Sequence, residues 1–428
     1  MESVIGLPRD VLELVVDVLI SFMKPLPLEA LATEDYCVTQ VDGYGVERHT
    51  LQNMSLVHRT WTEVVRRGFW HRVIFRARDL NASGISALAP NCMLIRELAL
   101  IGSGSDEGPY WTNFTALLLQ SPNLRKLYID MEVQGPTEAG FLQLMQQLRL
   151  CSHLESLWLA GDMEDCYKEI LLTVSCLPRL KSLVLDTVVS TEEDIDALRE
   201  LEPPKNLKSV ALVDCLDWQY ASWLIRPRED HFILDLAFSI EYPDQLEEEP
   251  DSVEYFHHCL RHLRALYIST SSTDGESEQA IHSDCLTALL KRTRELTDFA
   301  LTASTLRTSS LHLPNTVKIF HIHHDVQLGS YLSRDSNLLK ENDRNIAAII
   351  SESHPIISSD PSGSHLRQVV ISFTYDGSGI TDHVRSRFRN EVFVETQLAC
   401  SLAGVALIFE TYASPYFGIL PETDPFAS

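Results

Sequence analysis

Two histidine clusters hold the residues best equipped for chemistry: His257-His258-Cys259 and His321-Ile322-His323-His324-Asp325. Imidazole, thiolate and carboxylate are the common zinc ligands, so either cluster is tested first as a metal site. Neither passes. The first falls on a predicted helix, where adjacent residues point in different directions. In the second, His321 and His323 share a strand face, but no further ligand cluster accompanies them. Both are read as structural histidines, with no metal and no cofactor expected. The run Gly102-Ser103-Gly104-Ser105-Asp106-Glu107-Gly108 lacks the lysine and following Ser/Thr of a phosphate loop, and Asp106 and Glu107 would repel phosphate, so it reads as an exposed turn. Cys400 is a candidate for the thiol of a thioester-forming ligase. It lies inside the apolar run Leu398 to Phe409, however, where a buried inert thiol is expected. No nucleophile, base and orienting group come together, which points to a chain that is not an enzyme.

The elements carrying these residues belong to a folded chain. Its 428 residues exceed one ordinary core, and 45% hydrophobic with 22% charged content is that of a globular protein. The formal net charge of -25 argues against nucleic-acid binding, which needs a basic surface to neutralise phosphates. Nine cysteines at irregular spacing, with no Cys-x-x-Cys, fit free thiols in a reducing compartment, cytoplasmic or nuclear. The stretch Val11 to Phe22 is interrupted by Glu13 and Asp17 and reads as an amphipathic helix rather than a signal peptide. No apolar run reaches the roughly 20 residues a membrane span requires.

Residues 1–75 read as a helical module. Pro8 sits at the first turn of a helix whose Leu12, Val15, Val16 and Leu19 form one apolar face. Residues 25–50, with Pro25, Pro27, Gly43 and Gly45, form an insertion. A second helical stretch over 51–70 places Trp61, Val64 and Val65 on one face, with Gly68 suited to a left-handed cap. Leu7-Pro8, Val11-Leu12 and Val18-Leu19, followed by Ser55-Leu56-Val57, Trp61 and Phe69-Trp70, resemble the F-box motif of fungal-type F-box proteins. That resemblance implies a small helical unit that docks on a Skp-family adaptor and so joins a cullin-RING ubiquitin ligase. It implies that Leu7, Pro8, Leu12, Leu56, Val57 and Trp61 face the adaptor or support that face.

Residues 76–412 carry an internal L-x-x-L-x-L pattern. Clear copies start at Ile95, Leu124, Leu154, Leu180 and Leu207, 29, 30, 26 and 27 residues apart. Weaker ones start at Ile233, Leu263, Leu296, Val317, Leu366 and Leu402. Helical stretches such as Glu138 to Leu148 and Glu192 to Leu201 fall between them, and Ser190 with Glu193 makes a capping box for the latter. A strand and a helix every 26 to 30 residues resemble the leucine-rich repeat. The expected fold is therefore α/β: a short N-terminal helical module, then a solenoid with parallel strands on its concave face and helices on its convex face, then a tail over 413–428.

Alternation along each strand turns the first, fourth and sixth repeat positions inward and the third, fifth and seventh toward the concave surface. On that reading Tyr128, Trp158 and Tyr267 at the fifth position, with Asp130 and Asp186 at the seventh, are candidate target-binding residues. The second position is basic at Arg96, Arg125, Lys181, Lys208, Arg264, Lys318 and Arg367, either an edge that steers an acidic partner or a solvated rim. Two functions stay open. One is the substrate-recognition subunit of an SCF-type ubiquitin ligase that binds a target protein through its repeats. The other is a repeat scaffold unconnected to ubiquitin, whose N-terminal helices serve only as a cap.

Overall fold

The computed structural model describes residues 9–22, 54, 59–76, 89–102, 110–131, 138–161, 167–186, 201–213, 223–226, 232–240, 258–270, 283–303, 311–327, 336–353, 366–374 and 381–412. Helix α1 spans Arg9–Phe22. Its Leu12 and Val16 recur one turn apart and are buried against Val64 and Val65 of α2 (Arg59–Phe69), with Met54, Trp61 and Phe69 closing the sides of this small core. Gly68 does not cap α2: the helix continues through it to Phe69, and the left-handed glycines among the described residues are Gly161 and Gly404. Gly68 is buried, so the position calls for a small side chain rather than a reversal of the backbone.

The chain separates into two compact units, Met1–Asn206 with Asp424–Ser428, and Leu207–Thr423. In the first, β1 (Arg72–Arg76) follows α2 and pairs in parallel with β2 (Glu97–Gly102), which pairs with β3 (Lys126–Met131), then β4 (Ser156–Ala160), then β5 (Ser182–Asp186). Helices α3 (Tyr110–Leu119), α4 (Glu138–Leu148) and α5 (Tyr167–Ser175) make the crossovers that parallel strands require. The register keeps fourth positions opposite one another: Val73, Leu98, Leu127, Leu157 and Leu183 form one buried row. Full burial of each leucine is worth about 2 kcal/mol. Gly140 allows α4 to approach α3, because a Cβ there would lie 2.7 Å from the Trp111 Cβ.

The second unit repeats the plan with β6 (Ser209–Val213), β7 (Asp235–Ile240), β8 (Ala265–Thr270), β9 (Asp298–Thr302), β10 (Ile319–Gln327), β11 (Gln368–Thr374) and β12 (Ala406–Tyr412), each parallel to the next. Helix α6 (Ser283–Leu290) joins β8 to β9, and α7 (Ser336–Ser353) joins β10 to β11. A short α8 (Asp382–Arg387), a π-helical turn (Phe388–Val392) and α9 (Val394–Ala403) lead into β12. Asp343 of α7 caps α9 from outside, accepting from the Glu395 and Thr396 backbone N–H groups at 3.0 and 2.8 Å. The copy placed at Leu402 is corrected here. Leu402 belongs to α9, which ends at Gly404 (φ 70°), and the last strand begins at Ala406. Leu398 and Leu402 lie one helical turn apart on the exposed face of α9, so their spacing reports the helix.

The α/β architecture of parallel strands with intervening helices is thus present in both units. The strands start where the repeat predicts, at the third position of the copies beginning at residues 95 to 366. Helix α4 covers the predicted span Glu138–Leu148. The insertion at 25–50, the helix expected over 192–201 and the tail at 413–428 lie outside the described residues.

Candidate interaction surfaces

Helix α1 has two apolar stripes. Leu12 and Val16 face α2, whereas Val11, Leu14 and Val18, at i, i+3 and i+7, are 41, 63 and 43% exposed. A helix so short, already packed on one side, would normally place polar residues there. Leu12 therefore supports the exposed stripe from within the core, and half-buried Trp61 packs against the same core. Leu7, Pro8, Leu56 and Val57 lie outside the described residues. The sequence reading missed Val11, Leu14 and Val18 as a set, although the signal was present: two interleaved apolar spacings in one helix are one more than a single buried face needs.

Glu97 ties together the starts of β1, β2 and β3, just beyond the end of α2. Its carboxylate is buried and accepts from Arg72 Nε at 2.6 Å, with Lys126 Nζ at 3.5 Å and His71 Nε2 at 3.7 Å. Burial acts to raise its pKa, but the hydrogen bonds from His71 and Arg72 and the charges of Arg72 and Lys126 outweigh it and hold the carboxyl at about 2. Arg66 of α2 adds a second tie, donating to Asn91 Oδ1 and the Pro90 carbonyl.

The fifth-position column does not offer exposed anchors. Tyr128 and Trp158 are 3% exposed and meet edge to face at 5.2 Å, and Tyr267 is 0% exposed. Tyr267 stands between Ala237 and Ala300 on neighbouring strands, whose small side chains leave lateral room for the ring. Ala99, Val184, Ala211, Val370 and His321 in the same column are buried as well. The expectation of a solvent-facing aromatic column is corrected accordingly: in these parallel strands both faces are buried, the usual condition of parallel sheets. The column's own composition, alanine, valine and aromatics with one histidine, carried that signal. Asp130 and Asp186 are half-buried. Burial pushes the Asp130 carboxyl up, partly offset by the hydrogen bond that Tyr128 Oη donates to it at 3.1 Å.

At the second repeat position, each carbonyl accepts from the next turn's second- and third-position N–H groups, a backbone ladder that fixes the spacing of the side chains. In the first unit it runs from His71 through Arg96, Arg125 and Glu155 to Lys181. In the second it runs from Lys208 through Leu234, Arg264, Thr297 and Lys318 to Arg367. The charges differ in their partners. Glu155 lies 2.7 Å from Lys181 and 3.7 Å from Arg125, and Arg96 donates to the Asn123 carbonyl. In the second unit Arg264 lies 3.9 Å from Asp235, while exposed Lys208, Lys318 and Arg367 have no ion pair among the described residues.

Of the two histidine clusters, His321, His323 and His324 are buried, His258 is half-buried, and His257 lies outside the described residues. His321 Nε2 and His323 Nδ1 both meet Ser372 Oγ, at 2.6 and 2.9 Å, and His324 stacks on Phe373. Burial holds all three pKa values at about 3, with His323 adding to the effect on the other two. Cys259 and Cys400 are buried, their thiols pushed up to about 12, so neither is a nucleophile at neutral pH. Among the described residues no group of three or more His, Cys, Asp and Glu side chains is arranged to hold a metal, and no helix is long and apolar enough to cross a membrane.

No family model and no curated protein matches the chain. Among solved structures, the chain is similar to one in the crystal structure of the Rad7 and Elc1 complex in yeast, with 12% identity over 86% of this chain and 87% of that one and a TM-score of 0.42.

Proposed function

We propose that this chain is a non-catalytic substrate receptor of a cullin-RING ubiquitin ligase, acting in the cytoplasm or nucleus. The N-terminal helices dock a Skp-family adaptor and the repeats capture a target protein. One observation carries the reading: a preformed helical pair, of F-box-like sequence, holds an exposed apolar stripe of Val11, Leu14 and Val18 outside its own core. An apolar stripe left in water on a packed helix is a docking surface. Ubiquitin transfer is left to partners in this reading; of the described cysteines, Cys92, Cys259 and Cys400 are buried. The rigid backbone of the repeats suits presentation of a target to a separate catalytic subunit.

The competing reading, a cap without ubiquitin linkage, draws on the Arg72–Glu97 tie and on β1, which run from the helical module straight into the strands. Co-purification with a Skp-family adaptor separates the two. Leu14 makes no core contribution, so Leu14→Asp is expected to leave the thermal transition in place and weaken adaptor capture by about tenfold or more. Undiminished capture by that variant would overturn the docking assignment, and no capture by the native chain would leave the cap.

A further inference from the structure

The second unit carries a basic edge, without an ion pair at Lys208, Lys318 and Arg367 among the described residues, that the docking proposal does not use. Lys208, Arg264, Lys318 and Arg367 occupy the second repeat position at the starts of β6, β8, β10 and β11, and all four are exposed. The backbone ladder that joins them is close, with second-position nitrogens 2.7 to 2.8 Å from the preceding turn's carbonyl oxygens between Lys208 and Arg367. Neighbouring strands lie about 4.8 Å apart, so Lys318 and Arg367 are adjacent bases, and Arg264 and then Lys208 follow at intervals of about 10 Å. The intervening turns hold uncharged Leu234 and Thr297. The turns leading into β8 and β9 add exposed Arg261 and Arg294, opposed by Glu295. Of the third-position carboxylates, Asp235 is buried beside Arg264, and Asp298 takes the Thr297 hydroxyl hydrogen bond. On a chain of net charge -25, this row is a local inversion of sign.

We infer that this row binds an extended acidic peptide, laid across the starts of the strands. Alternate side chains of an extended peptide project to one side every ~7 Å, within reach of flexible lysine and arginine side chains spaced at about 4.8 and 10 Å. Screening confines the attraction to a Debye length of about 8 Å at physiological salt. A short peptide stays within the row, whereas a duplex with one charge per ~1.7 Å of its length extends onto the acidic remainder of the surface. The inference deepens the target-capture half of the proposed function and rests on it. Adaptor capture is measured on the same variants, so failure of one half is distinguishable from failure of the other.

The test is fluorescence anisotropy of a fluorescein-labelled hexaglutamate peptide on the full chain. The native chain is expected to bind it with an affinity that falls as salt is raised. Lys318→Glu with Arg367→Glu is expected to weaken binding by about tenfold or more, and Lys318→Gln with Arg367→Gln to weaken it less, while adaptor capture is retained. The milder pair serves if charge reversal shifts the thermal transition. Lys181→Gln, beside Glu155 on the first unit's edge, is expected to leave peptide binding unchanged. Absence of native binding, or equal binding by the native chain and the Gln pair, would overturn the assignment. So would tighter binding of a single-stranded oligonucleotide, lost in the same variants, which would reassign the row to nucleic acid.

Discussion

In the first unit Glu155 stands between Arg125 and Lys181 on neighbouring turns and gives both a shared counter-charge; in the second, Leu234 and Thr297 occupy the corresponding turns, and Lys318 and Arg367 face solvent without a counter-charge among the described residues. The backbone ladder is the same in both. What differs is one side chain per turn, which gives the first edge a counter-charge that Lys318 and Arg367 lack on the second. The interiors differ in the same sense. The first unit buries a charge, Glu97, and satisfies it with Arg72 and Lys126. The second buries neutral groups, His321 and His323 around Ser372, alongside the carboxylates of Asp235 and Asp343. A repeat backbone thus tolerates either solution, paired ions or neutral polar groups, because its own hydrogen bonds are already met by the ladder and the strands.

Acid distinguishes the two interiors most strongly. The unfolded histidines titrate near 6.5, and the folded ones are held at about 3. Between those values the unfolded chain binds more protons than the folded one, so stability rises with pH and is lost as pH falls below about 6.5. From pH 6.5 to 5 the loss is about 2 kcal/mol per histidine. Glu97 is also lowered, to about 2, so its contribution is complete above about pH 4.3 and is lost only between there and 2. Hydrogen exchange followed against pH should therefore show β10 and β11 losing protection before β2 and β3. Simultaneous loss in both, only below pH 4, would remove this distinction.

The next effect in size comes from breaking the first unit's buried pair. Arg72→Ala strands a buried carboxylate with weaker partners, and should cost on the order of 3 kcal/mol, read as a lower midpoint in urea. If the midpoint is unmoved, the starts of β1 and β2 are held together by other contacts. The smallest effect sharpens the contrast between the edges. Glu155→Gln removes only an exposed counter-charge, so it should change stability by less than about 1 kcal/mol while giving Arg125 and Lys181 measurable affinity for hexaglutamate. A first-unit edge that stays inert after this change would show that counter-charge is not what separates the two.

Much of this was legible in the residues. The period of 26 to 30 residues, the inward leucines, the parallel α/β class and the row of second-position bases follow from side-chain type and spacing, because hydrophobic periodicity and chain connectivity leave few alternatives. Other features were not. Alternation assigns Tyr128, Trp158 and Tyr267 to the face opposite the leucines, but only packing tells whether that face is open, and here it is closed. Leu402 matched the repeat yet lies on a helix, since short apolar spacings serve helices and strands alike. The pairing of Glu155 with bases on two other turns, and of Glu97 with Arg72, joins residues about 25 positions apart in the chain. Local sequence therefore determines which turns carry charge; the stacking of those turns decides which charges are cancelled and which remain available to a partner, because neutralisation depends on distances that only the folded chain sets.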